Sequence, residues 1–232
     1  MARALYDLAA ADEKRRFSPF CWRIKMALAH KELDVETIPW RFVEKDIIAF
    51  SGQGRVPVLV DGDRVVADSW AIANDLEDRY PDRRPLFDHT SALSPTAFVA
   101  NWVDGALQPA IAQFILADIH AHLHEKDKAY FRESREKRVG TTLEKFCANR
   151  EEKVVQFRTT VLGPLRLALG SKPFLGGTGP TYADYAVFGA FQWARTTSPF
   201  KLLEPNDPLA AWRERMLHLY GGFARKSVGY PV

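Results

Sequence analysis

Strand-length apolar runs alternate with helical repeats over the first 87 residues of this chain, and beyond them only helical repeats remain. Residues 3–8, with Leu5 and Leu8, read as a strand. From Pro19 onward Trp22, Met26 and Ala29 recur at helical spacing, and Pro19 has the fixed φ and missing N–H suited to a first helical position. That helix fades around Ala29-His30-Lys31. Residues 34–40 read as a second strand, followed by an irregular stretch ending in Ser51-Gly52-Gln53-Gly54. Two β-branched runs, residues 56–60 and 64–67, flank Asp61-Gly62-Asp63 and predict a hairpin. Ser69 opens another helix with Trp70, Ile72, Ala73 and Leu76 on its apolar side, and Pro81 stops it near Tyr80.

The later repeats are longer. Phe98, Trp102 and Leu107 mark one helix, with Pro109 as a kink. Residues 130–145 are densely charged and read as a solvated helical face, not a binding strip. Val154, Val161, Leu165 and Leu169 share a stripe. Thr181 and Asp184 form a capping-box pattern ahead of Val187, Phe188 and Phe191, and Asn206-Asp207-Pro208 starts a last helix through Trp212, Met216 and Leu219. The order β-α-β, β-β-α, then helices alone predicts an α/β domain followed by an all-α domain.

Composition narrows the classes without choosing one. A chain of 232 residues, 47% hydrophobic and 26% charged, has material for a substantial core. The net charge of +3 comes from interspersed signs, so no nucleic-acid footprint is expected. No apolar run approaches the roughly 20 residues of a membrane span. Met1-Ala2-Arg3 leads directly into a strand without a signal-peptide core, and Cys21 and Cys147 make no disulfide framework; a cytoplasmic protein with reduced thiols is expected.

Candidate chemistry concentrates at Ser18. A serine before Pro19 sits where unpaired helix N–H groups and partial positive charge would stabilise an anion, yet Ser18 is equally suited to cap its own helix. Cys21 lies three residues on, as in a C-x-x-C motif, but with serine leading no dithiol cycle is possible there and an inert buried thiol is expected. His120, His122 and His124 lack the carboxylate of an H-E-x-x-H pattern, and Glu125, Lys126 and Asp127 mark an exposed helix end, so no metal site is expected.

Ser18-Pro19-Phe20-Cys21-Trp22-Arg23, Arg55-Val56-Pro57-Val58-Leu59, Asp68-Ser69-Trp70-Ala71-Ile72, Tyr80-Pro81-Asp82, Phe174-Leu175-Gly176-Gly177 and Thr181-Tyr182-Ala183-Asp184-Tyr185, in that order, resemble the glutathione transferase superfamily over nearly the whole chain. The Ser18-Pro19 and Trp22-Arg23 pairing, with Asn206-Asp207-Pro208-Leu209, is most similar to the serine-type bacterial β-aryl etherase (lignin ether-cleaving) branch and its fungal relatives. The resemblance implies a thioredoxin-like domain over residues 1–83 and a C-terminal helical bundle over residues 90–232. It also implies a homodimer with glutathione as cosubstrate.

In such folds Val56-Pro57 is cis, and the Val56 backbone pairs with the cysteinyl unit of glutathione as one more strand would. Asp68 and Ser69 would hold the γ-glutamyl end, Ser69 and the nearby backbone N–H groups meeting its carboxylate and Asp68 its α-amino group; either could also cap the helix, with the backbone donors remaining available to the ligand. Arg55, with Gln53, Lys45 and Arg41 as further candidates, would meet the glycyl carboxylate. Ser18 would donate to the glutathione thiolate, and Tyr6, which occupies the place of other classes' tyrosine, would serve strand packing. Lowering a thiol pKa by two units requires about 2.7 kcal/mol. A charge-assisted hydrogen bond of roughly 1.5–3 kcal/mol and a helix-end contribution of about 0.3–1 kcal/mol suffice without a general base.

Phe17, Phe20, Phe98, Trp102 and Phe114 are the expected lining of a pocket for a hydrophobic, aromatic electrophile, in the manner of detoxifying transfer. Reductive β-aryl ether cleavage and non-catalytic ligand binding are the alternatives. Two departures stand out: Pro109-Ala110-Ile111-Ala112 replaces bulkier aromatic and basic residues, and Glu32 stands where a helix-ending glycine is usual.

Overall fold

The structure, a computed structural model, describes residues 3–87 and 93–232; Met1, Ala2 and the expected start of the helical domain at residue 90 lie outside them. Strand β1 (Arg3–Leu8) pairs in parallel with β2 (Glu36–Trp40) and antiparallel with β3 (Val58–Asp61), which pairs antiparallel with β4 (Arg64–Ala67). The resulting order is β2-β1-β3-β4. Leu5 faces Thr37 on one side and Leu59 on the other, and Leu5 and Leu59 are buried. Helix α1 (Pro19–His30) makes the crossover that a parallel β1–β2 pair needs. Helix α2 (Ser69–Arg79) packs against α1 and stops at Tyr80, ahead of Pro81. The stretch read as irregular holds a 3₁₀ turn, Lys45–Ser51, ended by Gly52 at φ 75°. This four-stranded layer is the thioredoxin-like domain.

The predicted kink at Pro109 is a wider disturbance. Helix α3 (Leu93–Trp102) runs through a π turn (Val103–Leu107) into α4 (Gln108–His122). The Gln108 N–H bonds to the Val103 carbonyl, an i→i−5 link, next to the residue that has no N–H to give. Residues 130–145 are not one helix: α5 (Glu125–Val139) ends at Gly140, φ 71°, and Thr142 caps the short α6 (Leu143–Phe146). Helix α7 (Arg150–Gln156), a second π turn (Phe157–Val161) and α8 (Gly163–Leu169) carry the stripe, with Val154, Leu165 and Leu169 buried.

Helix α9 (Tyr182–Thr197) has the expected capping box, Asp184 accepting from the Thr181 N–H at 3.0 Å. Asp184 also accepts from Leu175, Gly176 and the Trp212 indole, which locks the preceding loop and α10 (Pro208–Gly222) onto the helix start. The buried α9 then lies along α1 and joins the two domains. Gly189 permits that approach, because a Cβ there would collide with the Pro19 carbonyl oxygen.

Candidate functional site

A cleft of about 670 Å³ opens between the domains at the start of α1, and Ser18 lines it. Ser18 is only 3% exposed, and its Oγ accepts the Cys21 N–H at 3.2 Å. Among the described residues the hydroxyl gives no hydrogen bond to an oxygen or nitrogen; the one side-chain group beside it that could accept is the Cys21 thiol. Capping and donating to a ligand therefore use different parts of one hydroxyl, and the two readings of this serine are compatible. Cys21 points inward, with Sγ 3.9 Å from the Tyr6 carbonyl. Burial, reinforced by Asp7, pushes its thiol well above the usual range, so it is the inert thiol expected. The Tyr6 ring packs on Phe50.

The Val56-Pro57 peptide is cis, and the β3 ladders begin only at Val58, leaving the Val56 backbone outside the sheet and on the cleft wall. Arg55 lines the cleft beside it. Arg41 is occupied by Glu13 at 2.9 Å and by Glu44, while Lys45 lies 5.4 Å from the Tyr130 ring centroid. Gln53 and Lys45 are not among the residues lining the cleft.

At the start of α2, Asp68 Oδ1 accepts from the Trp70 N–H at 2.8 Å and the Ala71 N–H at 3.1 Å. Those donors are taken by the cap itself, which corrects the expectation that they stay open for a ligand. The Ser69 carbonyl accepts from the Tyr182 hydroxyl at 2.9 Å, and neither Asp68 nor Ser69 lines the Ser18 cleft.

The aromatic lining divides. Phe17 and Phe20 stand in the Ser18 cleft. Phe98, 72% exposed, and Trp102 line a different cavity, about 680 Å³, between α3, α8 and the start of α9. Phe114 lines neither; it is buried, stacked on Phe200 at 5.3 Å. The π turn explains the first displacement. It resets the helical phase, so that the cleft receives Asp104, Gln108, Ala112 and Leu116, while the face set by Phe98 and Trp102 looks toward α8. Pro109 and Ala112 do line the cleft, as small apolar wall.

The sequence reading missed a wall contributed by the charged segment. Tyr130, Phe131, Arg135, Arg138 and Val139 of α5 line the cleft, with Phe42 and Trp193. Phe131, Arg135 and Arg138 recur at i, i+4 and i+7, a helical signal hidden by intervening charges. Asp104 supplies the cleft's carboxylate and accepts from Arg23 at 2.6 Å and Gln108 at 2.9 Å. Two of the three histidines are engaged elsewhere: His122 meets the Tyr230 hydroxyl and His124 accepts from the Lys126 N–H. Among the described residues no cluster could hold a metal ion, and no helix is long and apolar enough to cross a membrane.

The family model for the glutathione S-transferase C-terminal domain matches residues 95–214, and that for the N-terminal domain matches residues 17–79. A zeta-class glutathione S-transferase of Euphorbia esula is 34% identical over 105 residues, 40% of this chain and 46% of its own length. This chain therefore aligns with about half of that relative. Glutathione S-transferase 1 of Dianthus caryophyllus is 28% identical over 175 residues, 73% of this chain and 79% of its own. Among solved structures, a glutathione S-transferase of Ceriporiopsis subvermispora in complex with glutathione superposes with a TM-score of 0.77 at 22% identity, covering 97% of this chain and 94% of that one. That likeness shows the fold.

Proposed function

Because the chain belongs to the glutathione S-transferase family, we propose that it is a glutathione-dependent transferase in which the Ser18 hydroxyl stabilises the glutathione thiolate for attack on an aromatic electrophile. The observation that carries this reading is a buried serine at a helix start in an interdomain cleft, its oxygen accepting the Cys21 N–H and its hydroxyl giving no hydrogen bond to an oxygen or nitrogen among the described residues. The residues present suit the tripeptide. The Val56 backbone lies outside the sheet ladders and can pair with an extended chain, and Arg55 beside it can meet a terminal carboxylate. The γ-glutamyl end would extend past the cleft lining to the start of α2, where the Ser69 N–H and hydroxyl would receive it beside Asp68, whose carboxylate occupies the next two amides. Phe17 and Phe20 supply apolar wall beside the sulfur.

No general base is needed. The hydroxyl donor and the helix end together supply about 2–4 kcal/mol in favour of the anion. A homodimer and a reducing, cytosolic location belong to the same reading, and the two buried free cysteines accord with the latter.

The test is Ser18→Ala. Ultraviolet thiolate absorbance of the glutathione complex should show the bound thiol's pKa rising by about 1–2 units, with turnover falling about 10–100-fold and glutathione affinity nearly kept. Unchanged turnover in the variant would remove Ser18 from the mechanism. No turnover by the wild type on any of a panel of aromatic electrophiles would leave a binding protein. Phenol release from a model β-aryl ether tests the narrower etherase reading.

A further inference from the structure

The cations along α5 divide into those paired with carboxylates, those lining the Ser18 cleft, and Lys137, which is exposed and lines no part of it. Lys126 pairs with Glu44, Lys128 with Glu125, and Arg132 with Glu136 and Glu144 at 2.8 Å each. Arg135 and Arg138, which line the Ser18 cleft, have no carboxylate within ion-pair distance among the described residues, and neither has Arg55 on the facing domain. Arg135 is half-buried, its guanidinium 5.2 Å from the Phe42 ring centroid and 4.8 Å from that of Phe131, with one N–H given to Ser134 Oγ at 2.8 Å. Burial, then the like charges of Arg138 and Arg55, hold this guanidinium below its ordinary pKa. The cleft's carboxylate, Asp104, is already engaged by Arg23 and Gln108. Three cations thus face one cleft without a counter-charge, and one of them, Arg135, lies against two aromatic rings.

We propose that the electrophile is an anionic aromatic, a planar ring bearing a carboxylate, whose ring packs among Phe42, Phe131 and Tyr130 while Arg135 and Arg138 hold its charge. This deepens the transferase reading and rests on it. A guanidinium stacked on rings offers its edge to a carboxylate in the same plane as a ring lying beside it, and a partly desolvated pair there is stronger than one in water. The sequence concealed this because the two arginines sit in a segment whose charges elsewhere are paired or solvated.

Chloronitrobenzoate and its methyl ester test the proposal when each enzymatic rate is divided by that compound's uncatalysed rate with glutathione, because the ester also withdraws electrons from the ring more strongly. In each the glutathione thiolate forms a carbon–sulfur bond and chloride leaves with its electron pair. So normalised, kcat/KM for the carboxylate should exceed that for the ester by about tenfold at low salt and fall as salt rises. Arg138→Gln and Arg135→Gln should each lower the carboxylate's value about 5–30-fold, leaving the ester's within about twofold and glutathione affinity unchanged. Equal rate enhancement over the uncatalysed reaction for both probes overturns the proposal while leaving the transferase reading intact. Weakened glutathione binding in both variants also overturns it, assigning the arginines to the glycyl carboxylate. Titration of the glutathione-loaded protein with unreactive nitrobenzoate is independent of turnover. Arginine-dependent binding there, with no turnover of either chloro compound, would sink the transferase reading and keep the anion site. Exposed Arg138 serves as the variant whose folding is secure should Arg135→Gln prove unstable.

Discussion

Glu32, just past the C-cap of α1, holds φ at 55°, the left-handed region where a Cβ is penalised. The position is the one where helices of this kind end in glycine, and the chain follows the turn without the residue that suits it. Its carboxylate reaches Arg83 only at 3.6 Å with both side chains largely in solvent, so the pair offsets little of the strain. Glu32→Gly is expected to stabilise the protein by about 0.5–1 kcal/mol, the left-handed penalty less the entropy glycine loses on folding. Thermal unfolding would register it as a Tm higher by about 1–4 °C, and a lower Tm would mean the Arg83 contact outweighs the backbone. Ser18 presents the opposite case. A serine before proline is legible as an N-cap from sequence alone; that it is buried in an interdomain cleft and gives no hydrogen bond to an oxygen or nitrogen among the described residues appears only once the surroundings are packed.

Between elements, the contact that places Ser18 is α9 against α1. Gly189 leaves no room for a methyl group because the Pro19 carbonyl and the Arg23 N–H lie over it, and both are backbone. Alanine is the better helix former by roughly 1 kcal/mol, so an unobstructed Gly189→Ala would stabilise the protein. Here the clash reverses the sign. The variant is expected to lose about 1–3 kcal/mol and, by displacing the start of α1, to raise the pKa of the bound thiol; denaturant melts and thiolate absorbance read the two effects separately. A stabilised variant with an unchanged thiol would show that the helices tolerate the displacement.

Elements of this kind were legible where local chemistry dictates them: β1, the turn at Gly62, Pro19 and the Thr181–Asp184 box all announce themselves in a few residues. The division of the aromatic lining was not. Phe98, Trp102 and Phe114 lie on one helical run, but a π turn changes which face continues, and Gly105 within it and Pro109 just after it are weak local signals that do not specify its phase. The α5 wall was hidden for a related reason: Arg135 and Arg138 become distinctive only by lining the cleft without a carboxylate partner, whereas Lys137 between them is exposed and does not line it.

Across the whole molecule the domains meet at a buried polar cluster. His30 at the end of α1 places Nδ1 2.5 Å from the Tyr185 hydroxyl of α9 and 3.2 Å from that of Tyr220, where α10 breaks at φ 53°; the two tyrosine hydroxyls bond to each other. Burial, with the charges of Arg84 and Lys31 adding to it, lowers the His30 pKa to about 4. A histidine in the unfolded chain titrates near 6.5. Between those values the unfolded state binds about one proton more than the native state, so stability rises with pH there. The contribution of His30 is complete above about pH 6.5 and is lost as pH falls toward 4. Acidifying from pH 7 to 5 should cost about 2 kcal/mol from this group alone. His30→Asn, which can keep a hydrogen bond at the Nδ1 position without a titrating ring, should flatten that slope while lowering stability at pH 7. Denaturant melts of both proteins across this range decide the matter: if their pH dependences run parallel, the proton uptake belongs to other groups and the cluster holds the domains together without sensing acid.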